Sequence, residues 1–196
     1  MSRTMCLAIT ALLATSPAFA QGGGGGRGGP VGLAAGQQQS YARVKNLVIG
    51  SAKEMPEEGF AHKPGDTPRT FAQVFAHISD FHYGVCSQAS GQPNPNQGSL
   101  EATIKTKAEV LEMLDKSYAF CDPVFAALTD ASIAEMVQGG RGGPRARGAI
   151  LSQLLEHDNE MYGISTVYLR TNNRVPPASQ GRGGRGAGGG GGGRGQ

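Results

Sequence analysis

Ile150-Leu-Ser-Gln-Leu-Leu-Glu-His157-Asp-Asn-Glu-Met161-Tyr-Gly163, running on to Tyr168-Leu-Arg170, is the stretch that decides the fold. At about 3.6 residues per helical turn, Ile150, Leu154, His157, Met161, Ile164 and Tyr168 share one face. That face is apolar apart from a single histidine, which is the pattern of a helix with one core-facing stripe. The four-residue step from His157 to position 161 is the spacing by which one helix offers two side chains to a single metal ion. Here the second position is a methionine.

Working outward, the same periodicity recurs three times upstream. Gln37 to Lys53 repeats Tyr41, Val44, Val48 and Ala52, with Pro56 as a stop. Thr70-Phe-Ala-Gln73 has the form of a capping box, and the helix it opens runs to about Ser90 with Phe71, Val74, Phe75, Ile78, Phe81 and Val85 as its stripe. His77 sits at the border of that stripe. Thr106-Lys-Ala-Glu109 is a second capping box. It opens a helix carrying Val110, Leu114, Tyr118, Cys121, Phe125 and Leu128, in which Pro123 should produce a bend near Ala119. Thr129 to Gly148 reads as loop, and no segment shows the two-residue alternation of a half-buried strand. The fourth helix covers about Ala149 to Thr171. Four amphipathic helices of 17 to 25 residues imply an all-α four-helix bundle. The long connections leave room for diagonal crossings, so simple up-down order does not follow.

The ends have a different character. Met1 to Ala20 has Arg3, an apolar run around Leu7 to Leu13, and Ala18-Phe19-Ala20 as a small-x-small cleavage site, which is the pattern of a secretory signal peptide. Residues 21–36 and 180–196 are glycine-rich, holding most of the 32 glycines, and have too few apolar side chains to offset the entropy of ordering. The body, residues 37–179, is the expected domain. The expected product is a soluble exported protein, periplasmic or secreted, with no membrane span. The net charge of +3 comes from the ends: without Arg3, Arg27, Arg182, Arg185 and Arg194, 13 basic residues face 15 acidic ones. A near-neutral body, and Arg-Gly-Gly tails without aromatic residues for base stacking, argue against a nucleic-acid partner. Two cysteines remain after export, Cys86 and Cys121, and an oxidising compartment favours a disulfide between them.

Several short motifs in this order and spacing resemble the DinB-like family of four-helix bundles, in particular its exported members. They are Met55-Pro56-Glu57-Glu58, Arg69-Thr-Phe71 leading to His77-Ile-Ser, Cys86-Ser87, Lys107-Ala-Glu109, Ser117-Tyr118 with Cys121-Asp122, His157-Asp-Asn-Glu160 with Tyr162-Gly163, Tyr168-Leu-Arg170, and Val175-Pro-Pro177. The resemblance spans roughly Tyr41 to Ser179. It implies a divalent-metal site, zinc or nickel, built from one histidine on the second helix and a His-x-x-x-His pair on the fourth. His77 and His157 match two of these positions, and Met161 stands at the third. A thioether is a poor zinc or nickel ligand and suits copper(I) better. The expectation is therefore an incomplete site with weak or absent divalent binding, copper being the less favoured ion.

The family also includes thiol-dependent transferases and isomerases, so a metal-dependent transferase or hydrolase using His77 and His157 is one reading. A non-catalytic binding or structural protein with a metal-free core and a small-molecule pocket is the other. Glu160, one turn from His157, is a candidate substitute ligand, and Asp80 bears the same relation to His77. His82 lies about 140° round the helix from His77 and reads as a surface histidine; His62 falls in a loop. Monomer and homodimer are both open.

Overall fold

The computed structural model describes residues 32–66, 69–139 and 142–180; the leader-like segment and the glycine-rich tail lie outside the described residues. Four helices make the body: α1 (Leu33–Glu54), α2 (Phe71–Ser90), α3 (Lys107–Ala126) and α4 (Arg147–Thr171). The fold is an all-α four-helix bundle. Helix α1 packs against α3 and α4, and α2 packs against the same two. Around the bundle the order is therefore α1, α3, α2, α4. The α1–α2 and α3–α4 connections cross the bundle diagonally, and only α2 and α3 are neighbours both in sequence and in space.

Local chemistry sets the helix ends. At Thr70 the side-chain oxygen accepts from the Gln73 backbone N–H (3.2 Å), while Gln73 Oε1 accepts from the Thr70 N–H (2.9 Å). Thr106 and Glu109 repeat this arrangement at the start of α3. Each box satisfies two of the N–H groups that a helix start leaves without partners. Gly91 ends α2 with φ 76°, a left-handed value that glycine adopts without penalty. Lys107 Nζ donates to the carbonyls of Lys53 (2.9 Å) and Met55 (2.7 Å), closing the end of α1.

The core is a continuous apolar cluster from all four helices, with Phe60, Phe71, Phe75, Tyr118, Phe125 and Tyr168 among its largest buried side chains. The disulfide expected between Cys86 and Cys121 is present. It joins α2 to α3 across a Cα–Cα distance of 5.5 Å, with both residues fully buried.

Helix α3 runs from Lys107 to Ala126 with Pro123 inside it, and the Ala127 N–H bonds the Pro123 carbonyl (3.1 Å). Three expectations need correction. Helix α1 begins at Leu33, inside the segment read as disordered, because Asp130 Oδ1 accepts from the Ala34 N–H (2.9 Å) and Ala34 is buried. The stretch read as loop before α4 contains a two-stranded antiparallel ribbon, β1 (Met136–Gln138) and β2 (Pro144–Ala146), with Val137 opposite Arg145. Its strands of three residues are too short to show an alternation in sequence. Finally, the buried face of α4 is rotated from the expected one: Asp158 and Ser165 are fully buried, whereas Ile164 is exposed.

Candidate two-histidine site

The site forms where α2 and α4 pack side by side. His77 on α2 and His157 on α4 lie with ring centroids 4.9 Å apart, so the two histidines meet. Phe81, one turn beyond His77, stacks on the His157 ring at 4.0 Å and 18°. Met161, one turn beyond His157, is buried at 6% exposure.

The two imidazoles differ sharply in their polar contacts. His77 Nδ1 lies 2.8 Å from Glu101 Oε1. Glu101 is held in turn by Arg69, whose Nε donates to Oε2 (2.8 Å) and whose Nη2 donates to Oε1 (3.2 Å). Burial pushes the Glu101 carboxyl up, but the hydrogen bonds and charge of Arg69, with His77, outweigh it and hold it below the usual glutamate value. Burial, with the charges of Arg69 and His157, pushes His77 below the ordinary histidine value despite Glu101. His157, by contrast, has both ring nitrogens buried and neither hydrogen-bonded. The nearest charge is Asp158, whose Oδ1 is 3.9 Å from His157 Nδ1, an electrostatic contact rather than a hydrogen bond.

The Glu101 side of the site is built by a loop. Glu101 sits in a single 3-10 turn, Leu100–Ala102, between α2 and α3. Asp80 fastens this turn: its carboxylate accepts from Leu100 N–H (3.0 and 3.1 Å) and from Asn96 Nδ2 (2.6 Å). Asp80 thus anchors the loop that carries Glu101. Glu160 lies on the exposed side of α4. Beyond Glu101 a cavity of about 270 Å³ opens between Phe60, Thr70, Gln73 and Ile104. Tyr168 Oη donates to the Arg69 carbonyl (2.8 Å), tying the end of α4 to the residue that grips Glu101.

Beneath the site lies a second polar system. His82 is not a surface histidine: it and Asp158 are both wholly buried, and Nε2 lies 2.9 and 3.0 Å from the two Asp158 oxygens. Tyr118 Oη donates to Asp158 Oδ2 (3.3 Å). His82 Nδ1 lies 3.2 Å from Ser117 Oγ, which is 3.0 Å from Ser79 Oγ and donates to the Leu114 carbonyl (3.2 Å). The hydrogen-bond inventory closes when both His82 nitrogens donate, one to Ser117 and one to a carboxylate. Burial pushes Asp158 up, but His82, with His157, outweighs it and holds Asp158 below the ordinary aspartate value.

The residues present do not complete a three-ligand divalent centre. They offer two imidazoles and a thioether, and among the described residues no group of three or more His, Cys, Asp or Glu side chains is placed to hold a metal ion. No helix among the described residues is long and apolar enough to cross a membrane.

Comparison with known proteins agrees with the fold. A DinB-like protein of Bacillus cereus ATCC 10987 matches with a TM-score of 0.59 at 18% identity, covering 72% of this chain and 94% of that one. A conserved protein of Enterococcus faecalis matches with a TM-score of 0.56 at 10% identity, covering 70% of this chain and 95% of that one. No curated protein sequence matches the chain. The sequence model of the DinB superfamily matches residues 40–164, a span that includes His77, His82 and His157. The chain belongs to the DinB superfamily.

Proposed function

We propose that this chain is an exported binding protein in which the superfamily's metal centre is reduced to a pair of imidazoles, and not a metal-dependent transferase or hydrolase. The observation that carries the proposal is His157, with two buried ring nitrogens and no hydrogen-bond partner, beside His77 and one turn from a buried methionine. A buried polar group without a partner costs roughly 1–3 kcal/mol. A ligand bringing hydrogen-bond donors to this pair offsets that cost. Zinc or nickel would have two good ligands and a thioether that carries no charge. Glu160, on the outer side of α4, would have to swing inward to serve as the third ligand. Export is supported by the leader-like pattern of Met1 to Ala20 and by the Cys86–Cys121 disulfide.

The test is elemental analysis of protein recovered from the periplasm without chelator, beside Met161→His. The expected result is no stoichiometric metal in the natural sequence and one ion per chain in the variant. A full equivalent of zinc or nickel in the natural sequence would overturn the reading and favour the enzyme.

A further inference from the structure

Each site histidine has a carboxylate on its Nδ1 side. For His77 it is Glu101, at 2.8 Å and gripped by Arg69 through two hydrogen bonds. For His157 it is Asp158, at 3.9 Å and gripped by His82 and Tyr118. The two carboxylates come from different places, one from an irregular loop and one from inside α4. We infer that Glu101 and Asp158 are positioning residues that keep the proton of each imidazole on Nδ1 and so leave the Nε2 lone pair of both rings available to a shared ligand. This deepens the reading of a two-imidazole binding site and rests on it.

The argument is one of donors and acceptors. A carboxylate bonded to a guanidinium has no proton to give, so a 2.8 Å approach to His77 Nδ1 requires Nδ1 to donate. Arg69 Nη2 also comes within 3.4 Å of Nδ1, but it too only donates, and Glu101 Oε1 at 3.2 Å takes its hydrogen. At His157 no hydrogen bond fixes the proton, and the Asp158 charge decides. It lies on the Nδ1 side, and His82 and Tyr118 hold it there. An imidazole left alone in water carries its proton mainly on Nε2, so the expected state is opposite to the intrinsic preference at both rings. Carboxylates behind histidines are the usual way in which proteins fix the tautomer and orientation of imidazoles that meet a Lewis acid. Here that support persists although the third ligand position holds methionine.

The chain has only four histidines, so the experiment is tractable. Long-range proton–nitrogen correlation spectra of the 15N-labelled chain, recorded about two pH units above the ordinary histidine pKa of about 6.5, report the protonated nitrogen of each ring. The expected result is Nδ1–H and bare Nε2 for both His77 and His157. Nε2–H on either ring overturns the inference. Glu101→Ala should flip His77 to Nε2–H, because only the Arg69 donor then faces Nδ1, whereas Glu101→Gln, whose amide oxygen still accepts, should preserve Nδ1–H. A Glu101→Ala variant that folds and keeps Nδ1–H on His77 also overturns it. In a Met161→His background, zinc should shift the Nε2 resonances of His77 and His157, and adding Glu101→Ala should weaken zinc binding by about 10- to 100-fold. If the tautomers are as stated but Met161→His takes no zinc, the positioning stands and the reduced-metal-centre reading fails. If Met161→His binds zinc through Nδ1, the reading stands and the positioning falls.

Discussion

Replacing Asp158 by leucine removes the group on which the centre of the bundle converges. Its carboxylate accepts from His82 at 2.9 and 3.0 Å and from Tyr118 at 3.3 Å, and Asp158 and His82 are wholly inaccessible to water. Asp158→Leu leaves His82 Nε2 and Tyr118 Oη buried without partners. Breaking a buried pair from one side costs about 3–5 kcal/mol, and two orphaned polar groups at about 1–3 kcal/mol each give a similar figure. Against a total stability of about 5–15 kcal/mol for an ordinary domain, this is a large fraction. It lowers the midpoint of thermal unfolding by about 6–20 °C for a domain near this size. Asp158→Asn should cost less, because an amide N–H can be offered to Nε2 of a neutral His82 while the amide oxygen accepts from Tyr118. The double variant His82→Leu/Asp158→Leu should also be more stable than the sum of the two single changes predicts, since apolar pairs of similar volume often replace buried ion pairs at little cost. Urea unfolding followed by circular dichroism measures these variants and His82→Leu beside the natural sequence. A loss below about 1 kcal/mol for Asp158→Leu, or strict additivity in the double variant, would refute the buried pair.

The remaining predictions are shorter. Cys121→Ser should lower stability by about 3–4 kcal/mol, the chain-entropy estimate for a loop of this length, and added reductant should leave the urea midpoint of the variant where it is while lowering that of the natural sequence. Thr70→Ala should lose about 1 kcal/mol through the broken capping box, read as a shift in the same midpoint. Asp158 has its folded pKa below the ordinary aspartate value, so its contribution is present above that ordinary value and lost as pH falls through the folded one. His77 is also lowered, so below about 6.5 the unfolded chain takes up a proton that the folded chain resists, and stability falls with falling pH there. His77→Gln should flatten that part of the stability–pH curve, whereas an unchanged slope would remove His77 as its source.

The bundle was legible because its determinants are local and repetitive. Each helix has an apolar residue every three or four positions, and α2 and α3 announce their starts with Thr-x-x-Gln and Thr-x-x-Glu. The meeting of His77 with His157 follows from the family resemblance; periodicity alone places His157 on the stripe of its helix and His77 at the border of its own. Glu101 was not legible, because a carboxylate in an irregular loop has no period and reaches His77 only once Asp80 has folded the loop back on α2. The error at His82 has a simple physical origin. The spacing argument locates it relative to His77 alone, which marks the edge facing α4, although α2 packs on α3 as well and buries a wider arc. Phe75, Ser79, His82 and Cys86 recur at four, three and four residues, and all are wholly buried. Once Cys86 is paired with α3, a residue four positions earlier must face the same way.

The same offset explains why α4 carries two layers of function on adjacent residues. His157 and Asp158 are about 100° apart on the helix, so one faces Phe81 and His77 while the other points into the core at His82 and Tyr118. One peptide unit thus connects the partly exposed edge of the site to a wholly buried carboxylate. A displacement of His157 along α4 moves Asp158 against His82, and the buried pair resists it through the His82 Nε2–H shared between the two carboxylate oxygens. The orientation of His157 is therefore governed by groups that never reach the surface, and substitutions at His82 or Tyr118 should alter ligand binding at His157 without touching the ligand. His82→Gln tests this: it should weaken zinc binding in the Met161→His background even when folding is intact by circular dichroism. Unchanged binding would mean that α4 holds His157 by packing against Phe81 alone.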